Sequence, residues 1–237
     1  MDYLLGLDVS HHNVDDRGSP IDWPLVKAAG FGFVLVKATD GLSFVDPKFE
    51  ASLAGAKEAG LLTGAYHFLR PGDDAGLQGE KYLEALSSVG GLKALDLLPA
   101  VDAEDPSDEP GAWLKIDRAT RILKVEHWCA AVEAEVKAPS LLYTNTPWWR
   151  LTLGAAPFGS HPLWASRYSA NEPDLSGTPW EDAGWTIWQY SESGVVPGIG
   201  HGVDLNRVRS LAAIAMPRPV PSSAGEPSPA AREGTGG

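Results

Sequence analysis

An irregular, TIM-like α/β barrel is the fold class this sequence predicts, and three observations predict it. Eight short apolar runs recur through the first 212 residues, helix-like segments separate the early ones, and after the fifth run the connections shorten and fill with Gly, Pro and Trp. Strands alternating with helices imply βαβ units and a parallel sheet. Eight strands of mostly continuous apolar character suit a sheet closed on itself and buried on both faces. A doubly wound open sheet is the alternative on the same pattern.

The runs span residues 4–9, 31–37, 62–68, 97–102, 141–145, 163–166, 186–190 and 203–205. A helix over 47–59 opens with Asp46-Pro47, a cap followed by a first-turn proline, and closes at Gly60. A second over 74–86 follows a Pro-Gly turn. A third over 116–136 carries Ile116, Ala119, Ile122, Val125, Cys129, Val132 and Val136 three or four apart, the spacing of one helix face. The first five strands therefore carry helices, and the last three are joined more directly. Residues 1–212 form the barrel domain. Residues 213–237 are mostly Pro, Gly, Ser and Ala and cannot bury enough surface to offset chain entropy, so they read as a disordered tail or linker.

Composition narrows the function. The 237 residues are 43% hydrophobic with nine Trp, enough for a sizeable core. Lys and Arg number 19 against 31 Asp and Glu, a net charge of −12. That balance excludes a general nucleic-acid binder, which needs a basic footprint, and docking on anionic lipid. The single cysteine, Cys129, cannot form an internal disulfide and sits on the apolar stripe of the third helix, as a core residue would. No run of about 18 apolar residues exists to cross a membrane. The first residues lack the charged and apolar regions of a secretory signal, so synthesis in the cytoplasm and a separate route outward are expected.

Four carboxylates fall where acidic residues are unexpected. Asp8 ends the first apolar run, Asp102 and Glu104 end the fourth, and Asp204 lies in the eighth. Barrel enzymes keep their catalytic groups at the C-terminal ends of strands. Asp102 and Glu104, two apart, share a face of a strand. Closure of a barrel makes its first and last strands neighbours, which brings Asp8 to Asp204. Clustered carboxylates in a low-dielectric mouth repel one another, leaving a protonated acid beside an ionised partner. Glycosidic cleavage requires that arrangement. The bland reading makes them strand-end caps or ion-pair partners of Lys37, Arg70 or Arg167.

A metal is the competing chemistry, with His11, His12 and His67 near strand ends. Adjacent histidines on an extended chain point to opposite faces, and His-x-His and His-Glu-x-x-His are absent. No nucleophile elbow, P-loop or dinucleotide fingerprint occurs. The aromatics Tyr66, Tyr143, Trp148, Trp149, Trp164, Tyr168, Trp185, Trp188 and Tyr190 cluster late and at strand ends. Aromatic faces stack on sugar rings, and about half of these are expected to serve packing alone.

The string Gly6-Leu7-Asp8-Val9-Ser10-His11-His12 with Ile21-Asp22-Trp23 resembles the opening of glycoside hydrolase family 25, the N-acetylmuramidases. Residues 33–41, 59–68, 99–104, 163–168, 187–191, 196–199 and 203–206 continue the likeness in family order over about 200 residues. The resemblance implies a (β/α)5(β)3 barrel and cleavage of the β-1,4 bond between N-acetylmuramic acid and N-acetylglucosamine in peptidoglycan, without metal or cofactor. It matches Glu104 to the general acid. Asp102 matches a partner carboxylate that orients the substrate acetamide or acts more directly. Asp8 and Asp204 match the further acids of the groove. Tyr66 and Trp188 are similar to residues lining the saccharide subsite, with Gln189 a polar contact; Tyr143 and Trp164 join them from the aromatic cluster. Asp40 stands where the family usually has Glu, which puts its place among the site residues in doubt. The expected partner is bacterial cell-wall peptidoglycan, met as a monomer. A peptidoglycan-binding barrel without catalysis is the alternative, and the intact carboxylate set speaks against it.

Overall fold

The computed structural model describes residues 3–14 and 18–217. Strands β1 (Leu4–Val9), β2 (Phe33–Asp40), β4 (Leu62–Phe68), β5 (Ala100–Asp102), β6 (Leu141–Asn145), β7 (Leu163–Ser166), β8 (Ile187–Val195) and β9 (His201–Val208) form one ring, closed because β1 pairs with both β9 and β2. The short β3 (Phe44–Val45) folds back on the end of β2. Helices α2 (Phe49–Glu58), α3 (Ala75–Ser87) and α4 (Arg118–Val136) lie within two residues of their expected bounds. Two short helices, α1 (Trp23–Ala28) and α5 (Thr146–Thr152), escaped the sequence pattern because six or seven residues are too few to display a period. Local capping carries them instead: Asp22 accepts from Leu25 N–H and Asn145 from Trp148 N–H, each with a proline in the first turn.

Two expectations need correction. The helix expected to start at Asp46-Pro47 begins at Phe49, because the Asp46 carboxylate is engaged by the backbone N–H of Lys48 and by His11. The boundary expected at residue 212 falls too early. Ile214 is fully buried against the floor of the barrel, Leu98 N–H donates to its carbonyl, and Met216 N–H donates to Asp96. The remainder of the expected tail, 218–237, lies outside the described residues.

Strands β1, β2 and β4 to β8 run parallel, whereas β9 is antiparallel to both its neighbours. The reversal is made at Pro197-Gly198, where φ of +94° is open to glycine and the Asp22 carbonyl leaves no room for a Cβ. Side-chain alternation then divides the core. One layer fills the space between strands and helices, with Val34, Val36, Val101, Leu142, Trp128 and Trp149 among its members. A second plugs the lower barrel with Phe33, Leu35, Leu97, Leu141, Ile187 and Val208. Gly6 and Gly64 face this plug, and a Cβ on either would meet Phe33 or Leu35 at 2.3 or 2.6 Å. Small and large residues alternate to fill the taper. Above the plug the inward positions turn polar.

Candidate active site

Asp8 faces into the mouth from β1 and pairs directly across the sheet with Asp204 of β9. Closure thus joins the two as the sequence requires, although Asp204 arrives from the first half of an antiparallel strand rather than from a C-terminal end. The Asp8 Oδ2 accepts Nε2–H of Gln189 at 2.8 Å and Nδ2–H of Asn206 at 2.7 Å. Behind them, Gln189 Oε1 accepts the hydroxyls of Tyr143 at 2.8 Å and Tyr168 at 3.0 Å, and Asn206 Oδ1 accepts the Trp164 indole at 2.7 Å. Those partners orient both amides with their N–H groups toward Asp8. Burial raises Asp8, and the hydrogen bonds from Asn206, Gln189 and Asp204 oppose the rise. Burial and the charge of Asp8 push Asp204 up to about 9, so Asp204 keeps its proton and donates it to Asp8.

On the facing wall, Asp102 ends β5 and Glu104 follows two residues later. Their backbone is pinned on three sides: Leu69 N–H donates to the Asp102 carbonyl, Ala103 N–H to the Tyr143 carbonyl, and the buried Trp113 indole to the Glu104 carbonyl at 2.9 Å. The side chains receive no such help. Asp102 Oδ1 is buried without a hydrogen-bond partner. Burial, then the charge of Glu104, drive Asp102 well above the ordinary carboxylate range. Burial, then Asp8, push Glu104 up to about 7, with Lys37 pulling the other way. Glu104 is therefore a carboxylic acid available near neutrality, as a general acid must be.

Asp40 lines the larger cavity beside the mouth and is held there by two cations. Its Oδ1 accepts Arg70 Nε at 2.6 Å, and its Oδ2 accepts Lys37 Nζ at 2.9 Å and Arg70 Nη2 at 3.2 Å. Burial alone would raise its pKa, but these bonds hold it low. Trp188 faces the other way. It projects outward, opposite Gln189, into the outer core, where it is 2% exposed and donates to the Arg167 carbonyl. Tyr66, Tyr143 and Trp164 do face inward, but beneath the mouth; Trp164 meets Tyr143 and Tyr66 edge-on at 4.7 and 6.0 Å. Tyr143 and Trp164 thus reach Asp8 through Gln189 and Asn206. Asn206, fully buried, was not singled out in the sequence; its signals there were its place in the family-like segment 203–206 and its position two after Asp204 on the same strand face.

Two cavities flank the carboxylates. One of about 620 Å³ lies over β2 and β4, lined by His12, Lys37, Phe44, Phe68, Arg70 and Asp108 among others. The other, of about 450 Å³, lies across the ring over β6 and β7, lined by Asn145, Arg150, Ser166, Tyr168 and Asp174 among others. Tyr168 is 48% exposed and presents its ring to the mouth's rim.

The histidines do not gather. His11 and His12 occupy a turn, with ring centres 3.9 Å apart and planes tilted by 40° rather than opposed, and His11 Nδ1 bonds Asp46 at 2.9 Å. His67 is fully buried, joined to Thr39 at 2.7 Å and Gln78 at 3.0 Å, and burial lowers it to about 4. Among the described residues one group of metal-ligand type is dense: Cys129, Glu133 and His161, with atoms within 4.8 Å of one another. It lies outside the barrel, with Cys129 and Glu133 on α4 and His161 in the loop before β7, its Nε2 paired with Glu133 at 3.0 Å.

A closed barrel with carboxylates of split acidity at its mouth defines a glycosidase-type site. Residues 7–199 match the family Glycosyl hydrolases family 25, and the chain belongs to that family. It is similar to lysozyme M1 of Streptomyces globisporus, 32% identical over 213 residues, covering 88% of this chain and 68% of that protein. An N,O-diacetylmuramidase of Chalaropsis sp is 29% identical over 175 residues, 70% of this chain and 80% of that protein. The crystal structure of a bacterial lysozyme from Streptomyces coelicolor superimposes with a TM-score of 0.76 at 26% identity, covering 90% of this chain and 97% of that one.

Proposed function

We propose that this chain is a peptidoglycan hydrolase that cleaves the β-1,4 bond from N-acetylmuramic acid to N-acetylglucosamine. The observation that carries the reading is the Asp102–Glu104 wall: a carboxylic acid held near 7 beside a buried carboxyl oxygen with no donor. The glycan strand crosses the mouth between the two flanking cavities, and Tyr168 offers a face for a sugar ring.

Glu104 donates its proton to the glycosidic oxygen as the bond to the anomeric carbon breaks. The carbonyl oxygen of the substrate's own acetamide closes on that carbon, forming a cyclic oxazolinium. Asp102 Oδ1 accepts the acetamide N–H and stabilises the charge that develops. Glu104, now ionised, takes a proton from water as the water opens the ring, which restores the acid and retains the anomeric configuration. Asp8, fixed by two amides that donate to it, faces the oxocarbenium-like centre from across the mouth and favours the positive charge that develops there. The work is done at the bacterial wall, by a monomer, with carboxylates and substrate supplying all the chemistry.

Digestion of defined peptidoglycan, borohydride reduction and mass spectrometry test this. Fragments ending in reduced N-acetylmuramic acid are expected from the wild type and none from Glu104→Gln. Fragments ending in reduced N-acetylglucosamine would overturn the assigned bond, and binding without release would leave a carbohydrate-binding barrel.

A further inference from the structure

Among the described residues, Lys37 is the one lysine or arginine on the inward face of a barrel strand, following Phe33 and Leu35 of the plug. In a regular strand, residues three apart face opposite sides. Here the register between β2 and β4 shifts between Lys37 and Thr39, and this bulge returns Asp40 to the side of Lys37, within 2.9 Å. The same carboxylate takes two N–H groups of Arg70, and Arg70 reaches on to Asp108 at 2.5 Å. Both cations lie over the Phe68 ring, at 4.9 and 5.0 Å from its centre, and Phe68 pairs across the sheet with Asp102. A flexible ammonium is thus fixed by an ion pair, a bulge and an aromatic face, at the level of the reacting carboxylates.

We infer that Lys37 is a positioning residue of the reaction: clamped by Asp40 and Arg70 against Phe68, it supplies the fixed positive charge that steadies the carboxylate wall when Glu104 gives up its proton to the glycosidic oxygen. This rests on the hydrolase reading and extends it. Asp40 acts through Lys37, which gives the shorter acid at this position a purpose other than touching sugar. The ionisable groups around this charge are known from every side. Asp8, His11 and His12 come from β1 and its turn, and Asp46 from before α2. Tyr66, His67 and Arg70 come from β4 and its end, Asp105 and Asp108 from the loop after β5, Tyr143 and Tyr168 from beyond β6 and β7, and Glu192 and Asp204 from β8 and β9. Lys37 opposes the upward push on both Asp102 and Glu104.

The test is a carbon-13 carboxyl titration of Glu104 in wild type, Lys37→Met, Lys37→Gln and Lys37→Arg, without substrate. Lys37→Met should raise the Glu104 midpoint by about one unit, as loss of a unit charge at this range in a partly dry site requires. Lys37→Arg should keep it within about 0.3 units, because the charge is retained. Lys37→Gln should raise it as Lys37→Met does, and it carries the test if Lys37→Met does not fold. The high-pH limb of kcat/KM should move upward in step, with KM little changed. An unmoved Glu104 midpoint in folded Lys37→Met or Lys37→Gln overturns the inference. Because the titration needs no turnover, failure of wild type to release muropeptides would count against the hydrolase reading separately.

Discussion

The two walls of the barrel mouth surround carboxylates of the same kind with different partners. On the β1, β8 and β9 side, Asp8 is surrounded by donors: two amides aimed by Tyr143, Tyr168 and Trp164, and the proton of Asp204. On the β5 side, buried Asp102 and half-buried Glu104 have no side-chain donor among the described residues, and the Lys37 charge is what opposes their rise. Burial raises the carboxyls of both walls. Neutral donors oppose that rise at Asp8, and their absence leaves it opposed only by the Lys37 charge at Asp102 and Glu104.

The largest break in this contrast comes from Glu104→Gln, which should lower kcat/KM by at least ~10³-fold while binding and fold persist, the range of a lost general acid. Asn206→Leu removes a donor from Asp8 and an acceptor from Trp164 together. It should cost roughly 2–4 kcal/mol in a denaturant melt, since buried groups left unpaired carry their full desolvation penalty. Its activity should fall about 10- to 100-fold as Asp8 loses charge and position.

A third variant effect sharpens the comparison through pH. Glu104 has its folded pKa raised, so the folded state binds this proton more tightly than the unfolded chain. The resulting stability is present below the ordinary value of 4.5 and is lost as pH rises toward about 7. Glu104→Gln should therefore match wild type near pH 4 and exceed it above pH 7 by ~2–3 kcal/mol. Thermal melts at both pH values check the sign. The smallest effect is expected of Tyr168→Phe. Tyr143 still orients Gln189, so turnover should change less than about threefold, with KM carrying most of the difference.

The sequence made the barrel legible because strand runs and long helices carry periods, and because strand ends carry chemistry. The Asp8–Asp204 pairing followed from closure alone. What stayed hidden was set by geometry without a sequence period. The antiparallel sense of β9 depends on a five-residue turn at Pro197-Gly198, and the bulge that sets Asp40 beside Lys37 has no local signature. Trp188 illustrates the same limit: alternation along β8 puts it and Gln189 on opposite faces, and only the buried partners of each reveal which face is the mouth. The burial of Ile214 was masked by the Pro- and Ser-rich composition that follows it.

The central claim, that burial at the barrel mouth keeps Glu104 a proton donor near neutrality, is tested most directly by titrating the wild-type side chains. Carbon-13 carboxyl spectra, assigned by single Asn and Gln variants, should show Glu104 near 7 and Asp204 near 9. Glu104 titrating at the ordinary 4.5 would contradict the account.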